Sequence, residues 1–103
     1  EAALFSTTTD IFLDLDQVEL PLFIRSRRSG DRLEPLGLNG SKKVKDMFID
    51  AKMSPTRREV IPLLVDASGR ILWIAGFRRS KHAIVGPDTE RVLHMKLVLQ
   101  EHM

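Results

Sequence analysis

The sequence predicts a single α+β domain built from several antiparallel strands and two helices. Its 103 residues are enough for one compact domain and leave no room for a second. Short segments with alternating or continuous apolar residues, bounded by turn residues, indicate strands. One segment near the middle of the chain has instead the apolar spacing of a helix.

Two strands are predicted in the first quarter of the chain, at residues 11–15 and 20–27. In the second strand, alternation divides the side chains into two faces: Leu20, Leu22 and Ile24, and Phe23, Arg25 and Arg27. We expect the aliphatic face to be buried and the arginines to project from the other face.

The clearest helix is predicted at residues 42–52, after a turn-rich segment at residues 29–40. Ser41 is the expected N-cap. The apolar residues recur at i, i+3, i+4 and i+7 and form one stripe: Val44, Met47, Phe48 and Ala51. Three lysines lie on the opposite face: Lys42, Lys45 and Lys52. We expect the stripe to pack on the sheet.

A second, short helix is predicted to begin at Pro55 and to end before Pro62. Its start is marked by Ser54-Pro55, or alternatively by a capping box of Thr56 and Glu59. Residues 63–66 and 70–75 follow as a hairpin with Gly69 in its turn. The second hairpin strand is apolar on both faces, which predicts a central position in the sheet.

The last quarter of the chain predicts two further strands, at residues 83–85 and 91–100. In the longer one, alternation places Leu93, Met95, Leu97 and Leu99 inward and His94 and Lys96 outward. Residues 6–9 resemble a linker. We therefore divide the chain into residues 1–19, a linker and first strand, and residues 20–100, the domain itself.

No composition signal points to a membrane or to an oxidising compartment. The sequence has no cysteine, no leader and no apolar run of about 20 residues. We expect a cytoplasmic protein.

No pattern of chemistry-bearing residues completes an active site. The three histidines are far apart and lack carboxylates at ligand spacing: His82, His94 and His102. Asp14 and Asp16 are expected to share one face of a strand and to meet water. Gly40-Ser41-Lys42 lacks the upstream glycine of a phosphate-binding P-loop. We expect neither catalysis nor a metal site.

The positive charge is concentrated in one block. The net charge is only +2, but residues 25–58 hold ten bases and four acids. Residues 1–24 hold five acids and no base. Such a block is typical of a surface that faces phosphates, although a solvated charged face would look the same.

Gly37-Leu38-Asn39-Gly40 has the spacing of the G-x-x-G loop that contacts RNA in KH domains. A plain turn leading into a helix is the favoured interpretation, because an extended segment precedes the motif. In either case small residues would leave the helix N-terminus open to an anion among Lys42, Lys43 and Lys45.

An ordered series of short motifs resembles the C-terminal domain of the tRNA(Ile)-lysidine synthetases. The series begins with Arg28-Ser29-Gly30-Asp31-Arg32, then Pro35-Leu36-Gly37 and the segment from Gly40 to Asp50. It continues through Arg57-Arg58, residues 62–66, residues 69–76 and Arg79-Ser80. The resemblance covers roughly residues 22–97.

The resemblance implies a fold and a role. The family's C-terminal domain is an antiparallel β-sandwich of unusual topology with helices, shared with a domain of the phenylalanyl-tRNA synthetase β chain. The parent enzyme, a ligase, uses ATP to attach lysine to the wobble cytidine of an isoleucine tRNA, through an adenylated cytidine. Its C-terminal domain is expected to hold the acceptor stem of the tRNA.

The resemblance also implies where the chemistry lies. The family's catalytic N-terminal domain has a Ser-Gly-Gly-x-Asp-Ser nucleotide loop, which this sequence lacks. The expected partners are therefore tRNA and the catalytic domain of the same chain, with a possible homodimer. We expect this fragment to bind no cofactor, to hydrolyse no ATP and to make no lysidine, while the parent's N-terminal domain would bind ATP.

The residue reading and the resemblance agree on one set of RNA-binding candidates. They are Arg25, Arg27, Arg28, Arg32, Lys42, Lys43, Lys45, Arg57, Arg58, Gly37 and Gly40. Asp31 is expected to brace Arg32 or cap a turn. A smaller second patch is expected from Arg78, Arg79 and Lys81.

Phosphate-backbone recognition of duplex RNA is favoured over base stacking. Phe23 is the one aromatic residue expected near the basic block, and Trp73 is expected in the core. Two alternatives remain open: a protein–protein module, such as a dimerisation domain with an incidental basic surface, and a free-standing enzyme.

Overall fold

The computed structural model describes residues 8–98, and across them it has eight strands and two α-helices. The strands are β1 (Asp10–Asp14), β2 (Phe23–Arg25), β3 (Arg32–Leu33), β4 (Lys42–Lys43), β5 (Leu63–Val65), β6 (Ile71–Ile74), β7 (Arg78–Arg79) and β8 (Val92–Lys96). The helices are α1 (Val44–Asp50) and α2 (Pro55–Val60), and a 3-10 turn spans Leu15–Gln17. Antiparallel strands with two short helices confirm the predicted α+β class.

A four-stranded sheet in the order β2-β5-β6-β7 forms the centre of the fold. The predicted hairpin is confirmed, since β5 pairs antiparallel with β6. Gly69 in its turn has a φ of +92°, a backbone conformation that residues other than glycine rarely adopt. Every residue of β6 is buried, which confirms its predicted central position.

A two-stranded sheet joins the two ends of the described chain. β1 pairs with β8 over five residues, from Asp10 opposite Lys96 to Asp14 opposite Val92. Ile11 and Leu13 of β1 are fully buried. β1 therefore packs into the same body as the rest of the chain, although it precedes residue 20, where the predicted domain begins.

The alternation predicted for the last strand is confirmed in β8. Leu93, Met95 and Leu97 pack against the core, whereas His94 and Lys96 are exposed. Leu99 and His102, like residues 6 and 7 of the predicted linker, lie outside the described residues.

The two faces of the central hairpin carry separate apolar clusters. One face packs on the α1 side of the molecule: Leu33, Val44, Met47, Phe48, Met53, Ile61, Leu63, Val65, Ile71 and Ile74. The other packs on the β1–β8 side: Ile11, Leu13, Val18, Leu64, Leu72, Trp73, Ala75 and Ala83. The hairpin is thus the middle layer between α1 and the β1–β8 pair, and Trp73 lies in the core as predicted.

Helix α1 begins two residues later than predicted. Lys42 and Lys43 form β4 instead and pair with Leu33 and Arg32 of β3. The prediction that Ser41 is the N-cap is wrong, because Ser41 Oγ accepts a hydrogen bond from Arg32 Nε at 2.9 Å. Lys43 occupies the cap position without a side-chain cap bond.

The apolar stripe of α1 is shorter than predicted. Val44, Met47 and Phe48 are buried, but Ala51 lies just past the helix and is exposed. Helix α2 is confirmed, with Ser54 Oγ accepting from the Arg57 N–H at 3.2 Å.

The prediction for residues 20–27 is largely wrong. Only Phe23–Arg25 is a strand, and the face expected to be buried is mostly in water: Leu20 is 55% and Ile24 60% exposed. The reason is position, because β2 is the edge strand of its sheet.

Two smaller predictions also fail. Residues 83–85 form no strand; buried Ala83 has a φ of +55°, and its carbonyl accepts from the Asp14 N–H at 2.9 Å. Asp14 and Asp16 do not share a strand face, since buried Asp14 caps the 3-10 turn by accepting from the Asp16 N–H at 3.0 Å. No helix within residues 8–98 is long and apolar enough to span a membrane.

Candidate nucleic-acid interface

Four cationic side chains from two separate segments line one small cavity of about 260 Å³. Arg27 and Arg28 come from the end of the β2 segment, and Lys43 and Lys45 come from β4 and α1. The turn Ser29–Asp31 completes its wall. We call this cavity the basic cleft.

Backbone pairing brings the two segments together. The turn closes when the Asp31 N–H donates to the Arg28 carbonyl at 3.2 Å, and Gly30 supplies its φ of +87°. Pairing of Arg32 with Lys43 then aligns the turn with β4. The Val44 N–H donates to the Asp31 carbonyl at 3.0 Å, which places the start of α1 against the same turn.

Arg25 and Asp31 form a bidentate ion pair behind the turn. Arg25 Nη1 and Nη2 donate to the two Asp31 carboxylate oxygens at 2.9 Å each. The Arg28 N–H donates to Asp31 Oδ2 at 2.8 Å. Asp31 thus caps the turn, as predicted, but the arginine that it braces is Arg25 and not Arg32.

The ion pair favours the charged form of both partners. Burial alone would raise the pKa of Asp31, but hydrogen bonds from Arg25 and from the Arg28 N–H lower that pKa below its usual value. The hydrogen bond from Arg25 to Asp31 raises the pKa of Arg25. Because its charge is matched by Asp31, Arg25 contributes position rather than net charge to the basic cleft.

Lys42 does not line the basic cleft, unlike Lys43 and Lys45. It lines neighbouring clefts instead, with Asp50 in both and with Arg78 in one. The prediction that Lys42 and Lys45 share one helix face is wrong, because Lys42 is in a strand and not in α1. Arg32 is held to Ser41 by its Nε and, at 3.3 Å, by Nη2 donating to the Ser41 carbonyl.

The glycine loop does not line the basic cleft, although Gly37 and Gly40 are among the predicted RNA-binding candidates. Gly37 and Gly40 have positive φ angles of 87° and 76° and are exposed. Gly40 lines a different cleft, together with Arg32, Arg70 and others. The predicted open helix start is also wrong at its first residue, because the Val44 N–H already donates to Asp31.

Helix α2 touches the edge of the basic cleft through one weak contact. Arg27 Nη2 lies 3.9 Å from Glu59 Oε2, and Glu59 is 74% exposed. Arg58 Nε donates to the Met53 carbonyl at 2.7 Å, while Arg57 is exposed on the helix surface. The Arg57–Arg58 pair therefore forms no part of the cleft wall.

The predicted placement of Arg79 in the second patch is wrong, because Arg79 is a core residue. Its Nε, Nη1 and Nη2 donate to the carbonyls of Ser80, Phe12 and His82 at 2.7, 3.1 and 2.6 Å. Burial lowers the pKa of Arg79. The sequence carries no signal that separates Arg79 from the exposed Arg78 beside it.

An exposed aromatic ring adjoins the basic cleft, as the sequence indicated. Phe23 is 53% exposed and lines a groove of about 430 Å³. Arg28 lines both this groove and the basic cleft, so the two share a wall residue. Trp73, in contrast, is only 3% exposed.

The described histidines have single carboxylate partners. His82 Nε2 lies 2.8 Å from Glu34 Oε1, and His94 Nε2 lies 2.8 Å from Asp10 Oδ1. Within residues 8–98 no three acidic, histidine or cysteine side chains are grouped so that they could hold a metal ion. The basic cleft, with four cationic residues in its lining, suits phosphate groups.

Known proteins are similar in sequence to this chain. Residues 22–97 match the model of the family described as the TilS substrate C-terminal domain. A tRNA(Ile)-lysidine synthase of Bacillus subtilis (strain 168) is 46% identical over 78 residues, which are 75% of this chain and 16% of that protein. A bifunctional protein TilS/HprT of Listeria monocytogenes is 43% identical over 72 residues, 70% of this chain and 11% of that protein. The chain thus spans less than a fifth of these relatives.

Solved structures share the fold. A crystal structure of a TilS C-terminal domain superposes with a TM-score of 0.75 at 32% identity, covering 91% of this chain and 75% of that one. An N-terminal fragment of the phenylalanyl-tRNA synthetase β-subunit from Pyrococcus horikoshii superposes with a TM-score of 0.66 at 20% identity. It covers 82% of this chain and 26% of that one, and it shows the fold alone. The predicted fold likeness is confirmed, and with three-quarters of its residues matching the family model, this chain belongs to the TilS substrate C-terminal domain family.

Proposed function

We propose that this domain binds the tRNA substrate of an ATP-dependent tRNA(Ile)-lysidine synthase by holding tRNA phosphates in the basic cleft. The observation that carries the proposal is the convergence of Arg27, Arg28, Lys43 and Lys45 around one cavity. The one carboxylate in the cleft lining, Asp31, is already committed to Arg25. The lining therefore keeps an uncompensated positive charge, which attracts phosphate.

The size and composition of the cleft favour backbone contacts over base reading. A cavity of about 260 Å³ whose lining residues include two arginines and two lysines suits one or two phosphates rather than a base. Phosphate contacts fix position and orientation but carry no sequence information. The domain would thus place a tRNA stem rather than identify its sequence, and we propose the acceptor stem as that stem.

The chemistry of the parent protein would lie outside this chain. A separate N-terminal domain would bind ATP, adenylate the wobble cytidine and attach lysine to it, in the cytoplasm. This domain would supply affinity and orientation to that reaction, which is the ordinary contribution of a substrate-positioning module. Dimerisation is the less favoured alternative, because it leaves the concentration of cations in the cleft without a role.

Binding of an isoleucine tRNA transcript to this chain, measured by filter binding between about 50 and 200 mM salt, tests the proposal. The cleft variant is Lys43→Gln/Lys45→Gln. The matched control is Lys52→Gln/Lys96→Gln, which removes the same charge from exposed lysines that do not line the basic cleft.

Each phosphate contact that is lost should flatten the log–log salt slope by a little under one unit. We therefore expect the cleft variant to bind more weakly and to lose about one to two units of slope, while the control changes little. Equal slopes for the two variants would show that general charge, and not this cleft, binds the tRNA.

A further inference from the structure

Phe23 differs from the other aromatic side chains of the described chain. The Phe12 ring stacks on His94 with centroids 4.2 Å apart, and Phe48 meets Phe77 edge-on at 5.8 Å. Trp73 is buried. Phe23 is 53% exposed and makes no ring contact within residues 8–98. An exposed ring without an intramolecular partner is available to an external one.

The groove beside Phe23 is lined by both apolar and charged residues. Phe23, Ile24, Val65 and Ala67 supply the apolar surface, and Arg28 supplies positive charge. Its volume of about 430 Å³ falls within the range of about 300–1,000 Å³ typical of small-molecule sites. The groove is thus large enough for a flat aromatic ligand with an attached anion.

The acidic residue of this groove does not oppose an anion. The Asp66 side chain is fully buried, and its Oδ1 accepts hydrogen bonds from the Ser68 and Arg70 N–H groups at 3.0 and 3.1 Å. Burial alone would raise the pKa of Asp66. Hydrogen bonds from the Ser68 side chain and from the backbones of Ser68, Arg70 and Glu19 lower that pKa below its usual value. The carboxylate is therefore turned inward and matched by donors.

Backbone pairing holds Phe23 in place at the sheet edge. Phe23 pairs with Val65 of β5, and the Ala67 N–H donates to the Glu19 carbonyl at 2.8 Å just before β2. The backbone that carries the ring is already ordered by strand pairing, so ligand binding does not have to order it. The position is thus organised for binding before any ligand arrives.

We propose that the Phe23 groove binds one unpaired nucleotide, whose base stacks on the Phe23 ring while an adjoining phosphate contacts Arg28. Every base presents a π-face, so such a site is tolerant of sequence. Since Arg28 also lines the basic cleft, the same RNA can place its stem phosphates in the cleft and its first unpaired nucleotide on the ring. The inference rests on the proposed function and adds a preference for a stem that ends in a single strand.

Three synthetic RNA hairpins with one common stem test this inference. The first is blunt, the second has a four-nucleotide single-stranded 3′ extension, and the third has the same extension at its 5′ end. Dissociation constants for this chain are measured by fluorescence anisotropy at about 50 and 200 mM salt, and the three hairpins are compared with one another at the same salt concentration. Stacking of a base on an aromatic side chain contributes about 1–3 kcal/mol, so an extension should tighten binding by about 5- to 150-fold.

The variant Phe23→Ala should lose this gain while binding the blunt hairpin as wild type does. Phe23→Trp should keep the gain, because a larger aromatic face stacks at least as well. Leu36→Ala is the matched control, since Leu36 is 51% exposed but lies outside the groove lining. It should keep both the gain and the blunt affinity.

The outcomes separate this inference from the proposed function. If no hairpin binds with a salt-dependent affinity, the proposed function fails. If the blunt hairpin binds but neither extension adds affinity, or if Phe23→Ala keeps the gain, the nucleotide site is refuted and the basic cleft is not. If Phe23→Ala leaves every RNA affinity unchanged but weakens association with the rest of its parent protein, the groove is a protein-docking surface and the inference is overturned.

Discussion

Replacing Asp31 with alanine separates geometry from charge at the basic cleft. The substitution removes a negative charge from the cleft wall, so long-range attraction alone predicts tighter tRNA binding. The structure predicts the opposite result. Without the carboxylate, Arg25 loses its bidentate partner and the turn loses the acceptor for the Arg28 N–H.

The size of the effect on stability follows from how far the pair is buried. Breaking a buried ion pair costs about 3–5 kcal/mol, whereas an exposed pair contributes about 0.2–1 kcal/mol. The side chains of Arg25 and Asp31 are 18% and 11% exposed, nearer to the buried limit. We therefore expect Asp31→Ala to lower the free energy of unfolding by about 2–3 kcal/mol. For a domain of this size that corresponds to a fall in Tm of about 9–14 °C.

The stability difference should depend on pH in a defined direction. Hydrogen bonds hold the pKa of Asp31 below its usual value in the folded state, so its contribution is fully present above the unfolded-state pKa of about 4. It is lost as the pH falls through the lower, folded-state pKa. The difference between wild type and Asp31→Ala should therefore be constant near neutral pH and shrink below about pH 4.

The effect on binding follows from the loss of order. Without Asp31, an arginine of the turn is no longer held in place and must be immobilised when tRNA binds. Immobilising one such side chain costs about 0.5–1.5 kcal/mol, so we expect tRNA affinity to fall by about 2- to 10-fold. Differential scanning calorimetry and filter binding measure the two effects. Asp88→Ala is the control, because it removes the same charge from an exposed turn and should shift stability by less than about 0.5 kcal/mol. An Asp31→Ala protein with unchanged Tm and tighter tRNA binding would refute the reasoning.

Two further predictions concern the core. Phe48 is fully buried, so Phe48→Ala should lower the free energy of unfolding, measured in urea, by about 3–5 kcal/mol. Ile49→Ala is the control and should change it little, because Ile49 is 46% exposed. Equal effects of the two substitutions would contradict the orientation of α1. Arg79→Leu should cost about 3 kcal/mol or more, because three carbonyl groups lose their donors, yet any folded fraction should keep the salt slope of tRNA binding. Arg78→Leu, at the exposed neighbour, should cost about 1 kcal/mol or less, and a thermal melt that ranks the two variants in the reverse order would remove Arg79 from the core.

Local patterns predicted the centre of the fold because the information there is local. The hairpin could be predicted because Gly69 marks its turn and because β6 is apolar on both faces. The β1–β8 pairing could not be predicted, since alternation shows which side chains share a face but not which strand lies alongside. The start of α1 was misplaced for a similar reason: lysines have high helix propensity, whereas pairing with β3 places Lys42 and Lys43 in a strand.

The candidate site could be predicted as a region but not as a geometry. The excess of basic over acidic residues predicts the segment that supplies the cations of the basic cleft. It did not show that Arg25 is matched by Asp31, six residues further on, because neither a helix nor a single strand brings residues six apart into contact. Nor did it show that Arg79 is buried, because one of the carbonyls that accept from it belongs to β1, far away in the sequence.

The antiparallel β1–β8 ladder has a mechanical consequence. Asp10 lies opposite Lys96, so the chain enters and leaves this body at neighbouring points on one edge. A force that separates those two points would load the ladder's hydrogen bonds one after another, as in a zip, rather than all at once in shear. Under tension the domain should therefore unfold first at the β1–β8 pair, at low force, while the β5–β6 hairpin is still intact.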